Sequence, residues 1–306
     1  MSEDPKRGHL DFSRFQSEAL RTYRIPRAEG IASVGSVIIP MLGLAGETGQ
    51  LLSEYKKHLR DGDAHRLFKE RVAEELGDLL WYVANVATQF GLALEDVAAA
   101  NLAKIEERWA TERKYPLCFD ATMAECERLP RKFEVQLLEV ANEKHERVRI
   151  FIDGIQYGDE LTDNAHDPDG YRFHDVFHFA CAAILGWSPV TRALLRRKRK
   201  SSPCLDEVED GARAAIIEEG VIALAFDYAR RHQMLLGVSI LDSQLLRTIK
   251  EMTSHLEVRH CTTGEWEKTI LRAFSVWRLI LAHGGGCVTV DLDQRSIEYL
   301  GSGRVG

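Results

Sequence analysis

A few acidic side chains near the start of the chain stand where they could do chemistry. In GLAGETGQLLSEYKK, residues 43–57, a helical rotation of ~100° per residue brings Glu47, Gln50, Leu51 and Glu54 to one face, with Lys57 close by. In EELGDLLWY, residues 74–82, Glu75 and Asp78 run along one edge of an apolar stripe. Tyr82 falls between them, Asn85 lies just beyond, and Trp81 points the opposite way. Carboxylates at the rim of a core repel one another and lose hydration unless something positive joins them. A divalent cation would meet that need. Mg²⁺, with Mn²⁺ as the alternative, takes oxygen ligands and shares its shell with substrate phosphates. Two helices, each offering acids at i and i+3, can surround such ions, as helical bundles do elsewhere. The plainer alternative stays open, because either pair alone is also what a solvated helix face looks like. Lys56 and Lys57 are equally what a helix C-terminus attracts.

The elements that must hold these residues are legible as a run of helices. Spacing predicts a helix over 12–24, a loop rich in small residues over 25–40, and helices over 41–60, 67–90 and 95–113. DGD at 61–63 stops the second of these and Gly91 the third. With no strand signal before residue 113, the first part reads as an all-α helical bundle. KYPLCFDATMAECERLPRK, residues 114–132, has little periodicity and reads as a linker between a domain at 1–113 and a second at 133–306. RVRIFIDGIQYG, residues 147–158, puts β-branched residues around a DG turn, a hairpin signal. Helices are then predicted over 172–185, 189–199, 207–231, 242–257 and 264–283. His283-Gly284-Gly285-Gly286 breaks the last one, and strands close the chain over 287–293 and 296–300. The expected fold class is mainly α: a helical bundle followed by a mostly helical α+β domain with a small sheet.

Composition narrows the function classes. The chain has 306 residues, 45% hydrophobic and 28% charged, which fits a globular protein with a sizeable core and argues against wholesale disorder. A net charge of −7 gives no global pull toward nucleic acid or an anionic membrane. The six scattered cysteines contain no CxxC pair, so reduced thiols and a cytoplasmic setting are expected. The charged N-terminus lacks the apolar core of a signal peptide, and no apolar run reaches the ~20 residues needed to span a bilayer.

The second half carries polar clusters of its own. His174, Asp175 and His178 fall within one helical turn, Glu207 and Asp210 repeat an ExxD spacing, and Glu218 and Glu219 lie about two turns on. An HDxxH set with downstream acids, Asp210 among them, could bind a metal. The remaining ligands of an HD-type phosphohydrolase are not recognisable, a degenerate copy of the first half is a second option, and polar packing is a third. The run RRKRK at 196–200 reads as the solvated last turn of a helix, the alternative being a patch for phosphates. The glycine run at 284–286 lacks the form of a phosphate loop and reads as a helix stop.

The order of DFSRFQSEALRTY, MLGLAGETGQLLSEYKK, EELGDLLWYVANVATQFGL and LEDVAAANLAKIEER resembles the MazG-like all-α nucleotide pyrophosphohydrolases over roughly residues 10–113. The resemblance rests on an aromatic-Gln start, a Gly-x-x-Gly-Glu helix, an E-L-G-D helix and an Asn-x-x-Lys helix. It implies hydrolysis of nucleoside triphosphates to the monophosphate and pyrophosphate, with Mg²⁺ held by an ExxE pair and an ExxD pair. Those pairs fall on Glu47 and position 50, and on Glu75 and Asp78. It also implies Glu47 or Glu54 as proton acceptor near the metal. Lys57 and Tyr82 are expected near the substrate, and Asn101, Lys104 and Arg108 as phosphate or sugar contacts. A homo-oligomer is expected, since sites in the family lie near subunit contacts. The departure is Gln50, which offers a carbonyl oxygen but no charge. One metal would then bind weakly unless Glu54 compensates, and the alternative reading is a weak or inactive nucleotide-binding regulatory module. The second half resembles a C-terminal extension found with some MazG-like domains.

Overall fold

The computed structural model describes residues 9–24, 35–109, 118–140 and 146–302. Residues 25–34 of the expected loop, 110–113 of the expected fourth helix and 114–117 of the expected linker lie outside them. The chain divides into two compact units, residues 1–105 and 106–306.

The first unit is built on helix α1 (Phe12–Thr22), α2 (Gly35–Asp61), α3 (Phe68–Gln89) and the part of α4 (Leu94–Trp109) up to Ile105. Asp11 caps α1 by accepting from the Arg14 backbone N–H at 2.7 Å. The second helix starts upstream of the predicted residue 41 and carries Pro40 inside it. Gln16 fastens α1: its Nε2 donates to Thr88 Oγ1 at 3.0 Å and to the Leu92 carbonyl at 2.9 Å, and its Oε1 accepts from the Leu94 N–H at 2.8 Å. Trp81 points to α1, where its Nε1 donates to Thr22 Oγ1 at 2.7 Å. The core of this unit is small: Ala19, Ala84 and Leu94, with Phe15, Trp81 and Val83 against them. Leu42, Leu52, Leu59, Leu76, Leu80 and Leu102 stay exposed, so much of the predicted apolar stripe is not covered within the chain.

The second unit packs helices on an antiparallel sheet of five strands in the order β3-β2-β1-β4-β5. The strands are β1 (Lys132–Val140), β2 (Arg147–Ile152), β3 (Ile155–Leu161), β4 (Gly285–Asp291) and β5 (Ser296–Gly301). The central strand β1 was not expected, although its burial alternates along KFEVQL as a half-covered strand should. Val135 pairs with Ile152 on one side and Val288 on the other, and all three are buried. The helices are α5 (Asp175–Ala180), running on through a π-helical turn at Cys181–Leu185, then α6 (Pro189–Leu194), α7 (Ala212–Arg230), α8 (Ser243–Met252) and α9 (Thr263–His283). Thr262 and Glu265 form a capping box on α9, and Gly284 ends it in the left-handed conformation. A Cβ on Gly285 would collide with the Leu137 carbonyl, so the glycines stop the helix and also let β4 pair with β1. Phe177, Phe226, Phe274 and Trp277 pack ring against ring in the centre.

Two stretches differ from expectation because of buried charge. Residues 118–131, read as linker, are packed into the second unit. The buried Asp120 accepts from the Leu129 N–H at 2.8 Å, Arg131 Nη2 at 2.7 Å and Arg192 Nη2 at 2.8 Å. The RRKRK run is not a solvated helical turn either. The helix stops at Leu194, Arg196 turns at φ +55°, and Arg199 is 1% exposed. Its guanidinium bridges Asp210 and Glu257, each at 2.7 Å.

Candidate functional site

The α2–α3 pair explains how the first acids meet. Gly43 touches Tyr82, Glu47 lies by Glu75, and Glu54 reaches His65. Later positions on α2 thus meet earlier positions beyond the turn, as in an antiparallel pair. Ligand oxygens of Glu47, Glu75 and Asp78 lie within 4.8 Å of one another. Asp78 is exposed, Glu47 half-buried and Glu75 buried, so the cluster is open on one side. Burial and the neighbouring charges of Glu47 and Asp78 push the Glu75 carboxyl above the usual range. An all-carboxylate donor set of this kind fits a hard divalent ion such as Mg²⁺.

The other expected residues divide. Gln50 stands beside the cluster, and its Nε2 donates to Glu47 Oε2 at 2.8 Å. Glu54 is buried but belongs to another group: it is paired with Lys57 and lies 3.0 Å from His65 Nε2. The Lys57 ammonium hydrogen-bonded to it, helped by His65, holds its carboxyl below the usual range. Tyr82 is seated on Gly43, where a Cβ would overlap its ring, and meets Trp81 edge-on at 4.9 Å. Asn101 and Lys104 are exposed on α4. Arg108 belongs to the second unit, where it donates to the Leu241 carbonyl at 2.7 Å and pairs with Glu267 at 3.3 Å. His65 was not anticipated, because only the length of the α2–α3 turn brings it to Glu54.

In the second unit, His174, Asp175 and His178 come together with donor atoms within 4.8 Å of one another. Asp210 does not join them, because Arg199 binds it with both its guanidinium and its backbone N–H. Glu219 lies beside the set instead, with Oε1 3.3 Å from His178 Nε2. Burial opposes charge on the His178 ring, but Glu218 and Glu219 beside it raise its pKa to about 10.

Residues 40–111 match the model of the MazG nucleotide pyrophosphohydrolase domain, and residues 114–303 that of the MazG C-terminal domain. Over 102 residues, 33% of this chain, the sequence is 35% identical to the Gene 37 protein of Mycobacterium phage L5 and covers 88% of it. No solved structure matches the chain. With the C-terminal domain spanning more than half of its length and the pyrophosphohydrolase domain ahead of it, the chain belongs to the MazG family.

Proposed function

We propose that the protein hydrolyses nucleoside triphosphates to the monophosphate and pyrophosphate, with Mg²⁺ held by Glu47, Glu75 and Asp78. The observation that carries this reading is the buried Glu75 with ligand oxygens of Glu47 and Asp78 within 4.8 Å; burial first, and then these like charges, raise its pKa. Such a group invites a cation. Bound Mg²⁺ would supply charge neutralisation for the polyphosphate and a more acidic water. Glu47 and Asp78 face the open side of the cluster and orient the ion. Glu47 is the acid best placed to accept a proton there, while Glu54 is occupied by Lys57 and His65. Asn101 and Lys104 are free to meet phosphate or sugar from α4. The catalytic part is residues 1–113, and the second domain carries a separate role. The exposed leucines of α2, α3 and α4 favour self-association, since exposed apolar area of this extent marks an interaction surface. We place the protein in the cytoplasm; the six cysteines are scattered with no CxxC pair, and no helix among the described residues is long and apolar enough to cross a membrane.

A second reading, a nucleotide-binding regulatory module with little catalysis, is favoured by one observation. Gln50 turns its amide N–H₂ to Glu47 instead of adding a charge to the cluster. Incubation with a panel of NTPs and dNTPs plus Mg²⁺, assayed for pyrophosphate, separates the two. Release that vanishes in Glu75→Ala supports the enzyme. Nucleotide binding without release supports the module.

A further inference from the structure

We propose that His174, Asp175, His178 and Glu219 form a binding site for one divalent first-row transition-metal ion in the second unit. Asp175 opens α5, and His174 and His178 are spaced i and i+4, which puts both rings on one face. The donor atoms converge. His174 Nε2 lies 3.3 Å from Asp175 Oδ1, His178 Nε2 lies 3.3 Å from Glu219 Oε1, and His174 Nε2 lies 4.0 Å from Glu219 Oε2. Metal–ligand bonds of ~2.0–2.1 Å in a tetrahedron separate neighbouring donors by ~3.3 Å, so two of these spacings already match a coordination shell and a small rotation of the Glu219 carboxylate would bring in the third.

The far side of each ring supports the same orientation. His174 Nδ1 lies 2.9 Å from the Tyr171 carbonyl, and the Tyr171 ring stacks on the imidazole at 4.4 Å. His178 Nδ1 lies 2.9 Å from Glu218 Oε1. That carboxylate is itself fixed by Ser188 Oγ at 2.7 Å and the Val190 N–H at 3.0 Å. Each histidine therefore turns Nδ1 toward an oxygen and Nε2 toward the shared point, an orientation in which protein scaffolds hold ligating imidazoles, and for His174 the Nδ1 contact is a hydrogen bond. Distance alone does not satisfy His178. It is 1% exposed, and neither ring nitrogen reaches hydrogen-bond geometry with its glutamate.

Charge points the same way. Among the described residues no lysine or arginine pairs with Asp175, Glu218 or Glu219. Asp120, Asp210, Glu265 and Glu267, buried acids of the same unit, are each paired with an arginine, and the buried Glu127 is held by the Ser201 N–H and hydroxyl. Two imidazoles with two carboxylates select Zn²⁺, Co²⁺, Fe²⁺ or Mn²⁺ over Mg²⁺ and Ca²⁺, which prefer oxygen alone. The Glu219 side chain is 44% exposed, so an ion can enter past it.

The test uses full-length protein carrying Glu75→Ala, which silences the carboxylate cluster of the first unit. After stripping with a chelator it is titrated with Co²⁺ and with Zn²⁺. The expected result is uptake of one equivalent, a visible Co²⁺ absorption spectrum with nitrogen ligation, and a higher thermal midpoint. Glu219→Gln at the open edge, and separately His174→Asn, should each weaken binding at least about tenfold. Both variants are compared by circular dichroism and by their melting in EDTA. If His174→Asn does not fold, Glu219→Gln still decides. No stoichiometric uptake, or uptake that Glu219→Gln leaves unchanged in a folded protein, overturns the proposal. So does equal competition by Mg²⁺. Pyrophosphate release plays no part in the readout, so this test and that of the first-unit reading can fail separately.

Discussion

Placing a carboxylate at position 50 probes the first cluster at the point where this chain departs from the ExxE pair that the resemblance implies. In Gln50→Glu, the 2.8 Å bond from Gln50 Nε2 to Glu47 Oε2 is replaced by two like charges three residues apart on α2. At an exposed helical position, loss of that bond and the new repulsion together cost about 1 kcal/mol in ion-free protein. The ion-bound state responds oppositely. One added charge ~4 Å from a dication, in water-like surroundings, contributes about 2 kcal/mol, or roughly thirtyfold in affinity. Repulsion between residues 47 and 50 is present with and without the ion and largely cancels from that difference. Thermal melts in EDTA should therefore show a lower midpoint for Gln50→Glu, while calorimetric titration should show tighter Mg²⁺ binding. Pyrophosphate release at limiting Mg²⁺ should rise with it. An unchanged midpoint in EDTA together with unchanged Mg²⁺ affinity would mean that residue 50 does not face the ion, and the account of the cluster would fail.

Three further expectations follow from packing and charge. Arg199→Met removes the guanidinium shared by the buried Asp210 and by Glu257 and should cost about 3–5 kcal/mol in denaturant unfolding of the second unit; stability unchanged within error would refute the network. Gly43→Ala should destabilise the α2–α3 pair by about 1–3 kcal/mol, because the new Cβ overlaps the Tyr82 ring. Tyr82→Ala should remove most of that penalty in a double-mutant cycle, and additivity would show that the two do not meet. Although burial raises the Asp120 pKa, its bonds to Arg131 and Arg192 outweigh that and hold it below the usual aspartate value. Its contribution is therefore complete above the unfolded value of about pH 4 and is lost as pH falls through the lower folded value. Acid unfolding of Asp120→Asn should show a shallower slope in that window.

The first unit was readable because its information is local. Helical periodicity, the DGD stop and Gly91 set the helices, and the acids of α2 and α3 are separated by a short turn that leaves few ways to pair them. What could not be read was how little of the stripe would be covered: Leu76 and Leu80 look like core residues in sequence and are exposed in the chain. The second unit hid its central strand, because β1 is joined by hydrogen bonds to β4 across some 150 positions of sequence and no turn residue announces that partner. Its buried arginines were hidden for the same reason. RRKRK reads as solvated charge until Asp210 and Glu257, brought by other elements, are beside Arg199.

Sorting the buried acids by their companions separates scaffold from candidate chemistry more sharply than their spacing does. Asp120 and Asp210 each face a guanidinium. Such pairs are complete as they stand, with both charges satisfied and no room for a ligand to improve them. Glu75 has acids for neighbours, and Glu218 has an imidazole. Burial and acidic neighbours push the Glu75 carboxyl up, and Glu218 and Glu219 raise His178 to about 10. A dication bound at such a group competes with protons for its donors. An ExxD spacing alone does not make this distinction, since Glu207 and Asp210 share the spacing of Glu75 and Asp78. What separates them is the arginine at Asp210, and that arginine is visible only once the chain has folded.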